Sequence, residues 1–210
     1  MKKLKIVHDS TPTNPFKDWD GCIPLMYESG HGNADFSDGE IVSHVIDSIT
    51  DGQIIRHQRT LMDMLDLYAE DYEEYTKEEK IDEIRHEMHR ADMDTITELC
   101  EMFKIPHLVH QSTGYSQGDY AKVLIVPTDE FFKLTGAPRK GIEKQMQGTA
   151  ELFDAWAWGD VYGFQVIEVT KCEDCGEEHE EEIDSCYGFY GSNFETNGMK
   201  DYLPEELHER

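Results

Sequence analysis

Residues Val161–Gly191, VYGFQVIEVTKCEDCGEEHEEEIDSCYGFYG, predict a β-hairpin. In the first half, β-branched and aromatic side chains occupy both alternating faces of an extended chain, which is typical of a central strand covered on two sides. The return strand, Glu181 to Tyr187, has residues of differing polarity at alternate positions, so that one face is more polar than the other. Between the strands lies Cys172-Glu173-Asp174-Cys175-Gly176, whose glycine lets the backbone turn under the two sulfurs. This tip is either a metal-binding knuckle or a bare acidic loop.

The length and composition are those of a globular protein. The 210 residues include 38% hydrophobic and 30% charged side chains, enough for one domain with a core, with or without an appended helical lobe. No apolar run approaches the ~20 residues that span a bilayer, and the apolar part of the amino-terminal segment is too short for a secretory signal. Five cysteines, an odd number, argue against a disulfide framework. We therefore expect a cytoplasmic protein with reduced thiols and no membrane partner.

The strongest global feature is negative charge. The chain has 19 lysines and arginines against 45 aspartates and glutamates, a formal net charge of −26 at pH 7. Such a surface repels nucleic acid and anionic membranes, so direct nucleic-acid binding is not expected. It favours basic protein partners, including proteins that themselves bind DNA or RNA. The same charge is also consistent with a role in solubility alone.

Hydrophobic periodicity predicts helices through the middle of the chain. Residues 38–105 carry apolar side chains at helical spacing, including a helix from Ile54 to Tyr75, and should form a helical lobe inserted between strands. Thr76-Lys77-Glu78-Glu79 has the spacing of a capping box and predicts a helix start. Strands are predicted near residues 3–9, 23–27, 107–110 and 121–126. The sequence thus predicts a single α+β domain, residues 1–210, with a small, mostly antiparallel sheet of four to six strands, packed helices and the inserted lobe.

Four short segments carry a resemblance to a known family. They are Asp18–Asp20 (DWD), Gly114–Asp119 (GYSQGD), Gly159–Phe164 (GDVYGF) and Asp184–Gly191 (DSCYGFYG). Together they resemble a family of small acidic proteins encoded by bacteriophages and prophages, mostly left as hypothetical proteins. The resemblance covers both ends of the chain and is weak over the helical lobe, and the family usually has tryptophan at the position of Tyr187. It implies a phage origin, a location in the host cytoplasm and a role in blocking host defence or redirecting host enzymes. It implies no catalytic residue.

The hairpin has the residue types of a structural zinc site. The candidate ligands are Cys172, Cys175, His179 and Cys186. Zinc in a structural site takes four sulfur or nitrogen ligands in a tetrahedron, so this set suffices if the return strand brings Cys186 back to the tip. The alternative is a loop with free thiols. A redox role is disfavoured because the surrounding acids raise rather than lower a thiol pKa.

Acidic side chains form two clusters, which we predict to be partner-binding surfaces. The first, at the hairpin tip, comprises Glu177, Glu178, Glu180, Glu181 and Glu182. The second comprises Glu70, Asp71, Glu73, Glu74, Glu78 and Glu79, with Tyr72 and Tyr75 interleaved. On a strand, alternate side chains recur every ~6.6 Å, comparable to the phosphate spacing of a DNA strand. A row of carboxylates with aromatic anchors can therefore fill a groove built for phosphates, although each cluster alone is also typical of a solvated surface.

The leading functional prediction is a phage-type inhibitor or host-takeover protein. It would bind a basic, nucleic-acid-handling host protein through an acidic, DNA-mimicking surface. The alternative is a small metal-dependent enzyme acting on nucleotides or nucleic acid, with Asp18, Asp20 and Asp119 as candidate metal ligands. A third interpretation is a zinc-stabilised scaffold. His86 and His89 lack the spacing of a metalloprotease motif, and no nucleotide-binding or hydrolase motif occurs in the sequence.

Overall fold

The structure is a computed structural model that describes residues 1–29, 39–68, 72–114, 120–172, 176–204 and 207. Its strands are β1 (Lys2–His8), β2 (Leu25–Ser29), β3 (Leu108–Thr113), β4 (Tyr120–Ile125), β5 (Val161–Lys171) and β6 (Glu178–Tyr190). Its helices are α1 (Pro15–Asp18), α2 (Gly39–Asp47), α3 (Asp51–Met64), α4 (Lys77–Met88), α5 (Met93–Phe103), α6 (Asp129–Thr135) and α7 (Ile142–Ala157). A short 3-10 helix covers Met199–Tyr202.

The α+β class is confirmed, but the strands divide between two sheets. In the described ranges, β1, β5 and β6 form one antiparallel three-stranded sheet, and β2, β4 and β3 form another, each in that order. The sequence predicted one sheet and one domain. The chain instead divides into two compact units, one made of Met1–Trp19 with Glu151–Arg210 and the other of Asp20–Ala150. The predicted helical lobe, residues 38–105, lies within the second unit, which also holds its own sheet.

The first unit is built on the predicted hairpin. β5 lies between β1 and β6, which confirms its central position. β6 contains an extra residue at two places relative to β5, Ile183 and Gly188, and Gly188 has a positive φ of 87°. These are β-bulges, which bend an edge strand and redirect the side chains that follow. A core on one face of this sheet consists of Phe164, Val166, Phe189, Met199 and Leu207.

The second unit packs helices α2 to α5 around a larger apolar core. Ile41, Ile46, Ile54, Leu61, Ile84, Met88, Ile96 and Leu99 are among its buried side chains. Leu124 of β4 joins the same cluster, which places this core against the sheet. Arg85 of α4 links two neighbouring elements, because its guanidinium donates to the carbonyls of Ile46 and Ile49 and to the Asp51 carboxylate. That side chain thereby supplies donors to carbonyls in the last turn of α2 and in the segment that follows it, where the helix provides few donors of its own.

Local capping decides where the helices of the second unit begin and end. The capping box predicted at Thr76 is confirmed: the Thr76 hydroxyl accepts from the Glu79 amide, and the Glu79 carboxylate accepts from the Thr76 amide at 2.7 Å. The predicted helix from Ile54 to Tyr75 is too long. The chain leaves the helix after Met64, because Asp66 adopts a left-handed conformation with φ of 54°. Among the described helices, none is long and apolar enough to cross a bilayer.

Candidate functional site

The hairpin presents a continuous exposed acidic edge. β6 is an edge strand, since it pairs with β5 alone in the sheet of the first unit. Every residue from Gly176 to Ser185 is exposed, whereas the far end of β6 is anchored by the buried Phe189. Glu178, Glu180 and Glu182 lie opposite Lys171, Val169 and Ile167, on one face of the ribbon. We call residues 176–185 the acidic ribbon.

Positive charge near the acidic ribbon comes from β1, the other edge strand of the sheet. The Lys3 ammonium, on β1, lies 3.1 Å from the Glu180 carboxylate, and both side chains are about half exposed or more. In the part of the chain that the structure describes, Glu177, Glu178, Glu181 and Glu182 have no ion-pair partner. The contribution of Lys3 was not predicted, although the lysines at positions 2, 3 and 5 in the first strand were visible in the sequence. Most of the ribbon's charge therefore faces solvent uncompensated.

The hairpin tip has the backbone geometry of a tight turn. The Cys172 amide donates to the Glu177 carbonyl at 2.8 Å, and the Gly176 amide donates to the Cys172 carbonyl at 3.0 Å. Gly176 has a positive φ of 73°, the conformation that the sequence predicted for it. Cys175 lies outside the described residues, so the zinc site stays a prediction.

Cys186 does not belong to the predicted zinc site. The register of the hairpin places it opposite Phe164, eight residues before Cys172, a separation of about 27 Å along an extended strand. Its side chain packs against the core of the first unit. His179, by contrast, lies opposite Thr170, two residues from Cys172 and on the same side of the ribbon. The prediction failed because β6 is longer than expected and its register against β5 cannot be derived from local sequence patterns.

The second predicted surface lies at the start of α4, in the other unit. Glu73, Glu74 and Glu78 are exposed, while Glu70 and Asp71 lie outside the described residues. Glu79 is engaged as the capping carboxylate, and its hydrogen bonds from the amide and hydroxyl of Thr76 lower its pKa. The Tyr72 ring packs against the helical core and meets the Tyr75 ring edge-on at 5.0 Å. Tyr75, 42% exposed, is therefore the more accessible aromatic of the two.

A polar cluster in the second unit was not predicted from the sequence. His44 accepts a hydrogen bond from the Asp129 amide at 3.4 Å, and burial lowers the pKa of His44 despite the nearby carboxylates. Asp129 pairs with Arg139, whose guanidinium lowers the Asp129 pKa and lies over the Phe132 ring. The Thr128 hydroxyl bonds to the Glu40 carboxylate. These contacts fix the start of α6 against α2, and no sequence motif marks them.

The described residues contain no group of three or more histidine, cysteine, aspartate or glutamate side chains that could hold a metal ion. Asp119, a candidate ligand for the enzymatic alternative, lies outside the described residues. The exposed acidic edge can bind cations and basic surfaces by Coulombic attraction, and it offers an unpaired strand edge for further hydrogen bonds.

No family model, curated protein or solved structure matches the chain.

Proposed function

We propose that this protein is a phage-type inhibitor that binds a basic, nucleic-acid-handling protein of the host and occupies its nucleic-acid-binding groove. The observation that carries the proposal is the acidic ribbon, residues 176–185, every one of which is exposed at an open sheet edge. A folded protein that needed charge only for solubility would not require it concentrated on one strand. The ribbon combines a fixed backbone with side chains that remain accessible.

The spacing of the ribbon carboxylates suits a surface built for phosphates. Glu178, Glu180 and Glu182 project from alternate positions of β6, so their Cα atoms recur about every 6.6 Å. Lysines and arginines that follow a nucleic-acid backbone can meet carboxylates arranged in such a row. The strand pairing of β1 with β5 ends at Lys2 and Glu168, so the hairpin beyond that pair is only two strands wide, which suits insertion into a groove.

Electrostatics would make this binding fast and sensitive to salt. A net charge of −26 attracts a basic partner over distances set by the Debye length, about 8 Å at physiological ionic strength. The carboxylates are exposed to water, which screens their attraction to a partner. Each ion pair therefore contributes modestly, and the affinity comes from the number of pairs. Raising the salt concentration should therefore weaken the complex steeply.

The exposed acids at the start of α4 are a second candidate contact in the other unit. Glu73, Glu74 and Glu78 supply charge there, and Tyr75 supplies an aromatic side chain that can be desolvated in a complex. Because the two surfaces belong to different units, each needs its own set of variants.

The test is competition with nucleic acid. The protein is immobilised and exposed to a bacterial lysate cleared of nucleic acid, and captured proteins are identified with and without excess duplex DNA or RNA. We expect a nucleic-acid-binding protein that is captured at low salt, released at high salt and displaced by excess nucleic acid. Capture that is unaffected by both nucleic acid and salt would contradict the proposal.

A further inference from the structure

A polar groove of about 520 Å³ lies on the first unit, on the sheet face opposite its apolar core. The segments Gly159–Phe164 and Asp184–Gly191 meet there, because Gly163 of β5 pairs with Tyr187 of β6. The residues that line the groove include Asp9, Ser10, Thr11, Thr13, Gln165 and Tyr187. Its volume falls in the ~300–1,000 Å³ range of small-molecule sites.

One wall of the groove is a fixed aromatic ring. The Tyr187 ring lies against the backbone of Gly163, where a Cβ would come within 2.3 Å of it. The Gln165 amide donates to the Tyr187 hydroxyl at 3.1 Å, which holds the ring at its other end. Tyr187 is nevertheless 46% exposed. A ring that is positioned in advance and still accessible is suited to stacking on a planar ligand, because the side chain loses little conformational freedom on binding.

The opposite wall is the loop that follows β1, and it is held at both ends. The Asp9 amide donates to the Val161 carbonyl at 2.9 Å, and the Asp9 carboxylate accepts from the Thr11 amide at 3.0 Å. At the other end, the Tyr190 hydroxyl donates to the Thr13 carbonyl at 2.5 Å. In the loop that these hydrogen bonds hold, Ser10, Thr11 and Thr13 are exposed. The wall thus offers one carboxylate and three hydroxyls in a short arc.

These groups favour an uncharged ligand with hydroxyls and a flat ring. A carboxylate accepts hydrogen bonds from ribose hydroxyls, and an aromatic side chain stacks on any nucleobase. Of the described residues that line the groove, none is lysine or arginine, and the chain carries a net charge of −26. Lys5 pairs with Gln165 in register but is not one of those lining residues. A phosphate group is therefore disfavoured. We propose that the groove binds a nucleoside, with its base on Tyr187 and its ribose hydroxyls on Asp9 and the neighbouring loop hydroxyls.

The test is titration of isotope-labelled full-length protein with adenosine or cytidine, followed by amide NMR. We expect shifts in the amide signals of Val7 to Thr11, Thr13, Gln165 and Gly188. Adenosine 5′-monophosphate should bind about tenfold more weakly or worse, because its charge meets a negative surface. Asp9→Asn keeps a side-chain oxygen for the Thr11 amide and should weaken nucleoside binding about tenfold, while Asp201→Asn, outside the groove, should not change it.

Several results would overturn the assignment. One is that groove signals stay unmoved at roughly 10 mM nucleoside, which is above the dissociation constant expected of even a weak specific site. Another is that the monophosphate binds as tightly as the nucleoside, or that Asp201→Asn weakens binding as much as Asp9→Asn. If ribose or glucose alone shifts the same signals as strongly, the ligand is a carbohydrate and the nucleoside assignment is wrong. Because the wild-type titration stands by itself, the proposal stays testable even if a variant fails to fold.

Discussion

Tyr187 lies on Gly163: a Cβ built on the glycine would be 2.3 Å from the Cδ1 atom of the tyrosine and 2.8 Å from the Cys186 carbonyl oxygen. The two residues are opposite each other in β5 and β6. Glycine within a strand ordinarily weakens it, because it leaves the backbone uncovered and contributes no packing. Here the tyrosine ring supplies the missing cover, an arrangement also used to support glycines in designed sheets.

The first prediction concerns this contact. Gly163→Ala should destabilise the protein by about 1–3 kcal/mol, because the new methyl group meets both a ring and a backbone carbonyl. In a Tyr187→Ala background the same change should cost less, since only the carbonyl contact remains. Gly148→Ala, in α7 with nothing within 4 Å of the added atom, is the control and should be neutral or slightly stabilising. Urea unfolding of the four variants measures this, and equal costs of Gly163→Ala in both backgrounds would exclude the coupling.

The second prediction concerns Arg85. Its guanidinium donates to the carbonyls of Ile46 and Ile49 at 3.0 and 2.7 Å and to Asp51 at 2.8 Å. Arg85→Ala should lower the free energy of unfolding by about 2 kcal/mol, because it removes the hydrogen bonds that the charged guanidinium donates to these two carbonyls. Arg85→Lys should restore only part of this, since an ammonium cannot reproduce the planar fork. Arg59→Ala, on the exposed face of α3, should change stability by less than ~0.5 kcal/mol.

The third prediction concerns the pH dependence of the α5 N-cap. The Asp92 carboxylate accepts from the Thr95 amide at 2.8 Å, and this hydrogen bond lowers its pKa. Because the folded pKa lies below the unfolded value of about 3.9, the contribution is complete above that value and is lost as pH falls through the folded pKa. Asp92→Ala should cost about 1 kcal/mol at pH 7 and less in acid.

Asp92→Asn is the matched variant for this measurement. Asparagine caps helices about as well as aspartate, so its stability at pH 7 should stay close to that of the wild type. It cannot titrate, so the wild type should lose stability relative to Asp92→Asn as the pH drops below about 4. Thermal unfolding from pH 3 to 7 tests this, and a difference between the two that does not vary with pH would contradict it.

The fourth prediction concerns zinc at the hairpin tip. If the tip binds zinc, Cys172→Ser should abolish binding, His179→Ala should weaken it and Cys186→Ser should leave the zinc content unchanged. The reason is the register, which places Cys186 opposite Phe164 and far from Cys172. Metal analysis of the three purified variants after zinc loading makes this measurement. Loss of zinc in Cys186→Ser, with the fold intact, would contradict the register.

Local signals in the sequence were sufficient for several elements of the fold. The apolar side chains on both faces of the segment from Val161 to Val169 predicted a central strand, and β5 is central. The capping box at Thr76 predicted the start of α4. The extent of α3 could not be predicted, because apolar spacing continues past Met64 while the turn depends on the left-handed Asp66. A non-glycine residue in that conformation has no reliable sequence signature.

The candidate sites were harder to predict because they depend on pairing between distant segments. The acids of β6 are visible in the sequence, but the partnership of Glu180 with Lys3 crosses 177 positions. The same holds for the groove, where Asp9 and Tyr187 come together through β1, β5 and β6. The division of the strands into two sheets follows likewise from long-range pairing, which periodicity does not report.

The function is tested most directly by two variants of equal charge. The ribbon variant changes Glu177, Glu178, Glu180, Glu181 and Glu182 to glutamine. The control variant changes Asp82→Asn with Glu98, Glu101, Glu143 and Glu151 to glutamine, all of them exposed and none of them part of the ribbon. Both lose five negative charges, so a purely global effect would be the same in each. Capture of the nucleic-acid-binding partner from bacterial lysate is then compared at low salt. We predict that the ribbon variant loses capture while the control variant keeps most of it. Equal capture by the two variants would contradict a role for the ribbon in binding.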